Sequence, residues 1–207
     1  MSENKIEKLY KELKQKYGSP KGQWSLWCKR PKKEKERERV IIETILTQRT
    51  NWRNVEKAFL NLKKEKADSL KEILKIGIKK LEKLIRPSGF YKSKAQYLFG
   101  LAKFIIKNYG NLNNMKKENE DKLRNELLKL KGIGKESADS ILLYALDKPV
   151  FVIDEYTRKI VKKKNLAKKF SYHFLQKLFE KNLKKDFRIY QDFHALIVID
   201  GKNKSTL

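Results

Sequence analysis

An all-α fold is what this sequence predicts, and three observations carry it. Apolar residues recur with a 3.6-residue period through nearly every segment. Punctuation is sparse, with four prolines and nine glycines in 207 residues, and most of it falls between those periodic segments. Strand-like alternation is scarce: VFVI at 150–153 is the best candidate, and it is too short to found a sheet. In chain order the first helix spans 3–17, charged along its length, and a long irregular stretch with two tryptophans, GSPKGQWSLWCKRPKKEKE, follows over 18–36. Helices are then expected near 37–48, 52–64, 68–75, 78–85 and 92–109. The pattern continues with 118–130, 135–146, 155–164, 169–184 and 189–200, and no repeat of 20–50 residues is visible.

Charge narrows the function. Lys+Arg is 51 against 25 Asp+Glu, a formal net charge of +26. Such an excess predicts a polyanionic partner, because neutralising phosphates releases counterions. A lysine-rich proteome would account for part of it, since the basic residues occur in every segment. The run KRPKKEKERER reads as the solvated start of a helix, with phosphate contact as the other reading. No basic amphipathic tail or lipidation signal suggests a membrane partner, and no apolar run approaches the roughly 20 residues that span a bilayer. The charged N-terminus does not read as a secretory signal, so a soluble intracellular protein is expected. A single cysteine, Cys28, excludes a disulfide framework and any all-cysteine metal site built from this sequence.

The segment LKGIGKESADSILLYALDKPVFVIDEYTRKI, residues 130–160, is the most informative. Leu123, Leu127 and Leu130 form the apolar face of one helix, and Gly132 and Gly134 then let the chain turn with positive φ. Ile133 between them plugs the core, and Ser137 or the free amides of residues 134–137 open the next helix. Such a turn offers bare N–H groups and a positive helix end to an anion, as phosphate sites commonly do. Asp154 follows an apolar run and sits at or beside the N-cap of the helix 155–164. An ordinary cap, worth roughly 1 kcal/mol, is one reading. The other is chemical: a helix N-terminus keeps a carboxylate ionised, and a fixed negative charge stabilises the sugar cation formed when an N-glycosidic bond breaks.

These residues resemble the helix-hairpin-helix, Gly/Pro-loop, aspartate superfamily of DNA glycosylases, the endonuclease III relatives. The likeness covers most of residues 37–165. ILTQRTN (45–51) resembles the family's helix end carrying a glutamine that fills the gap left by a flipped base, here Gln48. SGFYKSKAQYL (88–98) resembles the wedge loop and its following helix, with Phe90 inserted into the base stack. LKGIGKESA and VIDEYTRK supply the hairpin, within 123–146, and the catalytic Asp154.

The resemblance implies two helical lobes with a DNA-binding cleft between them. Residues 37–148 would form one lobe, and 149–207, joined by the N-terminal helix and aromatic loop of 1–36, the other. Gly132, Gly134, Lys135 and Ser137 would hold the DNA backbone. Base flipping is required because the glycosidic bond is unreachable inside the stack. Bifunctional members carry a lysine nucleophile 18 residues before the aspartate; here that position is Glu136, so no Schiff base is expected there. Lys135 is adjacent but turned by about 100° along a helix. The family's C-terminal cysteine cluster has no counterpart in GKNKSTL, so no metal and no iron–sulfur cluster are expected, while a monovalent cation at the hairpin is allowed.

IRPSGFYKSKA with LKGIGKESAD is most similar to the cluster-free 3-methyladenine glycosylase branch, where a cationic base lies between aromatic rings. Trp24 and Trp27, with Tyr156, are the candidates for that base pocket, though packing of the long loop would equally explain the tryptophans. Glu43, five residues before Gln48, matches the glutamate with which adenine-mismatch glycosylases protonate a purine; a surface glutamate is the alternative. Arg158 could touch phosphate or lie on the surface. His194 reads as a core or pocket-lining residue rather than a base, and His173 as ordinary surface.

The sequence thus predicts a monofunctional DNA glycosylase of base excision repair, acting on double-stranded DNA with a damaged or mispaired purine, alkylated adenine first. A monomer in the cytoplasm, associated with the nucleoid, is expected. The alternatives are a bifunctional endonuclease III-like glycosylase/abasic-site lyase and a non-catalytic module that senses lesions.

Overall fold

The computed structural model describes residues 4–204. In chain order they form α1 (Lys5–Tyr17), α2 (Trp24–Trp27), α3 (Glu34–Leu46), α4 (Trp52–Lys64) and α5 (Leu70–Leu84). A 3-10 turn (Arg86–Ser88) leads into α6 (Tyr91–Tyr109), α7 (Leu112–Lys117), α8 (Glu120–Leu128) and α9 (Lys135–Ser140), which runs on as a π-helical turn (Ile141–Ala145). Then come α10 (Glu155–Lys163), α11 (Tyr172–Lys181) and α12 (Phe187–Lys204). No strand occurs among the described residues, and the fold is all-α. The chain divides into two compact units, one made of Met1–Lys29 and Asp147–Leu207, the other of Arg30–Leu146.

In the Arg30–Leu146 unit, α3 is the central helix. Val40 through Leu46 are all buried, so it is covered on every side. It packs against α4, α6, α7, α9 and the π-helical turn, and the buried guanidinium of Arg37 donates to Ala145 O at the end of that turn. Gly77, at φ 73° and ψ 168°, breaks α5 where two separate helices are expected from sequence. Helix α7 is an addition to the sequence reading. It holds only Leu112 and Met115 as buried anchors, too few to display a period, and the Asn111 side chain caps it by accepting from Asn114 N at 2.9 Å.

In the other unit α1 and α10 pack on α12. Phe151 stacks on Phe179 at 4.4 Å between centroids and meets Tyr190 and Phe193 edge-on at 5.5 and 5.7 Å. Residues 150–153, the strand candidate, run as buried irregular chain. Their polar backbone is satisfied by side chains of α11 instead of a ladder: Phe151 N donates to Glu180 Oε1 at 2.9 Å, and Phe151 O accepts from Gln176 Nε2 at 2.8 Å. The stretch 18–36, expected to be irregular throughout, folds its two tryptophans into α2 and gives up its last residues to α3. Both indoles are buried, so apolar burial orders a segment that local propensity leaves undecided.

Candidate active site

Asp154 is the N-cap of α10. Its Oδ1 accepts from Thr157 N at 2.7 Å and from Thr157 Oγ1 at 2.8 Å. Oδ2 lies 3.5 Å from His194 Nε2 on α12, and the Asp154 side chain is 13% exposed. Burial pushes this carboxyl up, but the protonated form of His194 and the two Thr157 bonds outweigh it, so the group lies below the ordinary aspartate value. The cap and the ionised acid are therefore one arrangement, not rival readings.

Trp24 approaches the His194 ring edge-on at 5.9 Å, and Trp27 backs Trp24 at 5.6 Å, also edge-on. The unit thus brings Trp24, His194 and Asp154 into one chain of contacts, with Trp27 a ring farther off. Tyr156, half-buried, packs over Gly201, where an added Cβ would lie 2.4 Å from its ring. Lys202 completes the group. Its Nζ donates to Gln23 Oε1 at 2.9 Å, partial burial lowers its pKa, and the charge of Asp154 opposes that shift. Lys202 and Gln23 carry no periodic or motif signal in the sequence. His194 carries one, a polar ring inside an apolar helix, which reads as a core or pocket-lining residue.

The hairpin belongs to the other unit. Gly132 takes φ +79°, and a Cβ there would lie 2.2 Å from the Tyr97 ring. Gly134 does not need positive φ: it is the extended N-cap of α9, at φ −86° and ψ 178°, with open space around its Cα, so the expected left-handed glycine pair is a single one. Ile133 is buried as a plug, while Gly134, Lys135 and Glu136 are exposed. Arg124 on α8 grips Asp139 on α9 with two bonds, 2.6 and 3.0 Å, fastening the two arms. Gln48, just past α3, donates to Gly132 O and to Ser137 Oγ, both at 3.0 Å, so it braces the hairpin.

Phe90 stands apart from any core. It is 65% exposed and held in the left-handed region, at φ 45° and ψ 29°, as the N-cap of α6. A bulky residue rarely adopts that conformation without cause. Glu43 is the reverse case, 1% exposed, which excludes the surface reading. Its Oε1 accepts from Arg39 Nε at 2.7 Å, and the Arg39 guanidinium also covers the Phe59 ring at 4.5 Å. That charge-assisted bond ties one carboxylate oxygen of Glu43 to the helix turn before it. Arg158 bonds Phe170 O. Among the described residues no cluster of three His, Cys, Asp or Glu side chains is arranged to hold a metal ion.

Comparison with known proteins identifies the family and the fold. The family described as HhH-GPD superfamily base excision DNA repair protein matches residues 42–185. A Methanocaldococcus jannaschii protein that carries the provisional name of DNA repair glycosylase is 46% identical over 204 residues, covering 96% of this chain and 89% of its own. The H. pylori 3-methyladenine DNA glycosylase bound to 1,N6-ethenoadenine is similar at a TM-score of 0.78 with 32% identity, covering 99% of both chains. An endonuclease III trapped as a covalent intermediate with DNA shares the fold at a TM-score of 0.75 with 20% identity, covering 98% of this chain and 87% of that one. The match over residues 42–185 and the 46% identity to a relative covered nearly end to end show that the chain belongs to the HhH-GPD superfamily as a DNA glycosylase of base excision repair.

Proposed function

We propose that this glycosylase is monofunctional and releases a positively charged, alkylated adenine from double-stranded DNA. The observation that carries the reading is Asp154, a carboxylate kept ionised by Thr157 and His194 with the Trp24 indole one ring away. A cationic base needs no proton to leave. The C1′–N bond breaks with its electron pair going to the base, which departs neutral. The positive charge left on the sugar faces Asp154, and water then attacks C1′, its proton passing to Asp154 or to solvent. Aromatic rings favour a cationic base over a neutral one by roughly 1–2 kcal/mol when desolvated. The commitment of Glu43 to Arg39 supports the same choice, because a neutral purine would need an acid on the base side. So does the glutamate at 136, where lyases in the family carry their amine. In this reading the enzyme works as a cytoplasmic monomer on nucleoid DNA.

The test is base release from duplexes carrying alkylated, oxidised, deaminated or mismatched bases. Release of alkylated adenine ahead of the others is expected, and Asp154→Asn should slow it about 100-fold or more. Unchanged release in that variant, or preferred release of an oxidised pyrimidine, overturns the reading. A second reading rests on Lys202, an amine with a lowered pKa within the electrostatic reach of Asp154. If it attacks C1′, the enzyme is a lyase of the endonuclease III kind. Borohydride would then trap a protein–DNA adduct that Lys202→Met abolishes, whereas the monofunctional enzyme gives none.

A further inference from the structure

Lys94, on the first turn of α6, is 2% exposed, an uncommon place for an ammonium group. Nothing in the reaction uses it. Its Nζ donates to Leu46 O and to Ser88 O, both at 2.7 Å. Leu46 is the last residue of α3 and Ser88 the last of the 3-10 turn. Both carbonyls therefore belong to helix ends, where the helix itself leaves oxygens unsatisfied and where positive charge is favoured. One ammonium thus caps two elements at once. The carbonyls it holds also stand two residues before Gln48 and two residues before Phe90, the side chains assigned to the gap and to the wedge. The backbone adds a third tie, since Lys94 N donates to Phe90 O at 3.0 Å. Phe90 is consequently fixed on both sides, by a charged bond at Ser88 and a helical bond at its own carbonyl. Such over-determination is what a left-handed phenylalanine requires to persist in water.

We infer that Lys94 is a positioning residue for base eversion: its buried ammonium locks the α3 end and the 88–90 loop into one rigid piece that presents Gln48 and Phe90 to the DNA. The proposal rests on the wedge role of Phe90. Burial lowers the pKa of this lysine to about 8, the cost of placing a cation where two carbonyls, and no carboxylate, receive it. A cation retained at such cost for packing alone would be outperformed by an apolar side chain of similar length.

The test compares wild type, Lys94→Met, Lys94→Gln and Phe90→Ala for binding to two duplexes, one unmodified and one with a central tetrahydrofuran abasic-site analogue. The analogue offers a ready-made gap, so preference for it reports wedge insertion without any dependence on the lesion. With both Lys94 variants checked by thermal melting to be folded at the assay temperature, Lys94→Met should lose about tenfold of that preference while affinity for unmodified duplex stays within about twofold. Lys94→Gln keeps an N–H donor and should fall between wild type and Lys94→Met. In Lys94→Met with Phe90→Ala the loss should not exceed that of Phe90→Ala alone, because one residue acts through the other. Loss of affinity for both duplexes in parallel makes Lys94 merely structural and overturns the proposal. So does an additive double variant. A Phe90→Ala variant that keeps full preference removes the wedge reading itself, and the role of Lys94 with it.

Discussion

A carboxylate shielded from water ordinarily prefers its proton, yet the proposed chemistry needs Asp154 charged. The structure answers with two neighbours of different kinds. Thr157 supplies two short donors whatever the pH, and His194 adds a charge when protonated. Because the folded pKa of Asp154 lies below its unfolded value near 3.8, its contribution to stability is complete above that value and is lost as the pH falls through the lower folded one. His194→Gln removes the charge at nearly constant volume. The acid limb of the pH–rate profile for base release should then move upward, while the Thr157 bonds keep Asp154 in position and much of the rate at neutral pH. An unmoved limb would mean that His194 only packs against Trp24.

Helix ends and turns decide how the functional side chains are aimed. In the hairpin the two glycines differ: Gly132→Ala must put a methyl group into the Tyr97 ring at a left-handed position, whereas Gly134→Ala meets nothing and keeps an ordinary extended φ. The first substitution should destabilise the protein by about 2 kcal/mol or more and weaken binding to unmodified duplex, and the second should change melting by less than about 0.5 kcal/mol. The sequence showed both glycines and not the difference, because what separates them is a ring on α6, more than thirty residues earlier in the chain. The same holds for Lys94, which reads as one more surface lysine in YKSKAQYL until Leu46 and Ser88 are seen to meet it. Its pH signature has the same sign as that of Asp154 but falls in the alkaline range, because both groups bind their proton more weakly in the folded chain. The unfolded chain keeps this proton to 10.5 and the folded one releases it at about 8, so stability should rise between those values, by at most about 3 kcal/mol. Melts of wild type and Lys94→Met across that range should diverge by this amount; parallel curves would refute a buried ammonium.

Across the whole chain, what could be read from sequence was whatever repeats or punctuates locally: the helical periods, the hairpin, the capping aspartate. What could not be read depends on segments far apart in sequence. Tyr10 near the start lies 5.1 Å from Phe193, and Trp24 of α2 reaches His194 on the last helix, so the Asp154 unit joins segments from the two ends of the sequence. Charge is a property of the same scale. With a net +26, exposed ion pairs such as Lys122–Glu118 add little stability, and a surplus of that size suits a polyanionic partner. Affinity for unmodified duplex should therefore fall steeply with salt, by about 0.9 in log affinity per decade of salt for each phosphate neutralised. The slope also separates lysines by location. Lys135→Ala, at the exposed hairpin tip, should reduce its magnitude by about one, the signature of one lost phosphate contact. Lys94→Met deletes the same formal charge from the interior, so its slope should match wild type even where its preference for the gapped duplex collapses. If both variants lowered the slope equally, DNA would be sensing net charge rather than contacts, and the hairpin would lose its claim on the backbone.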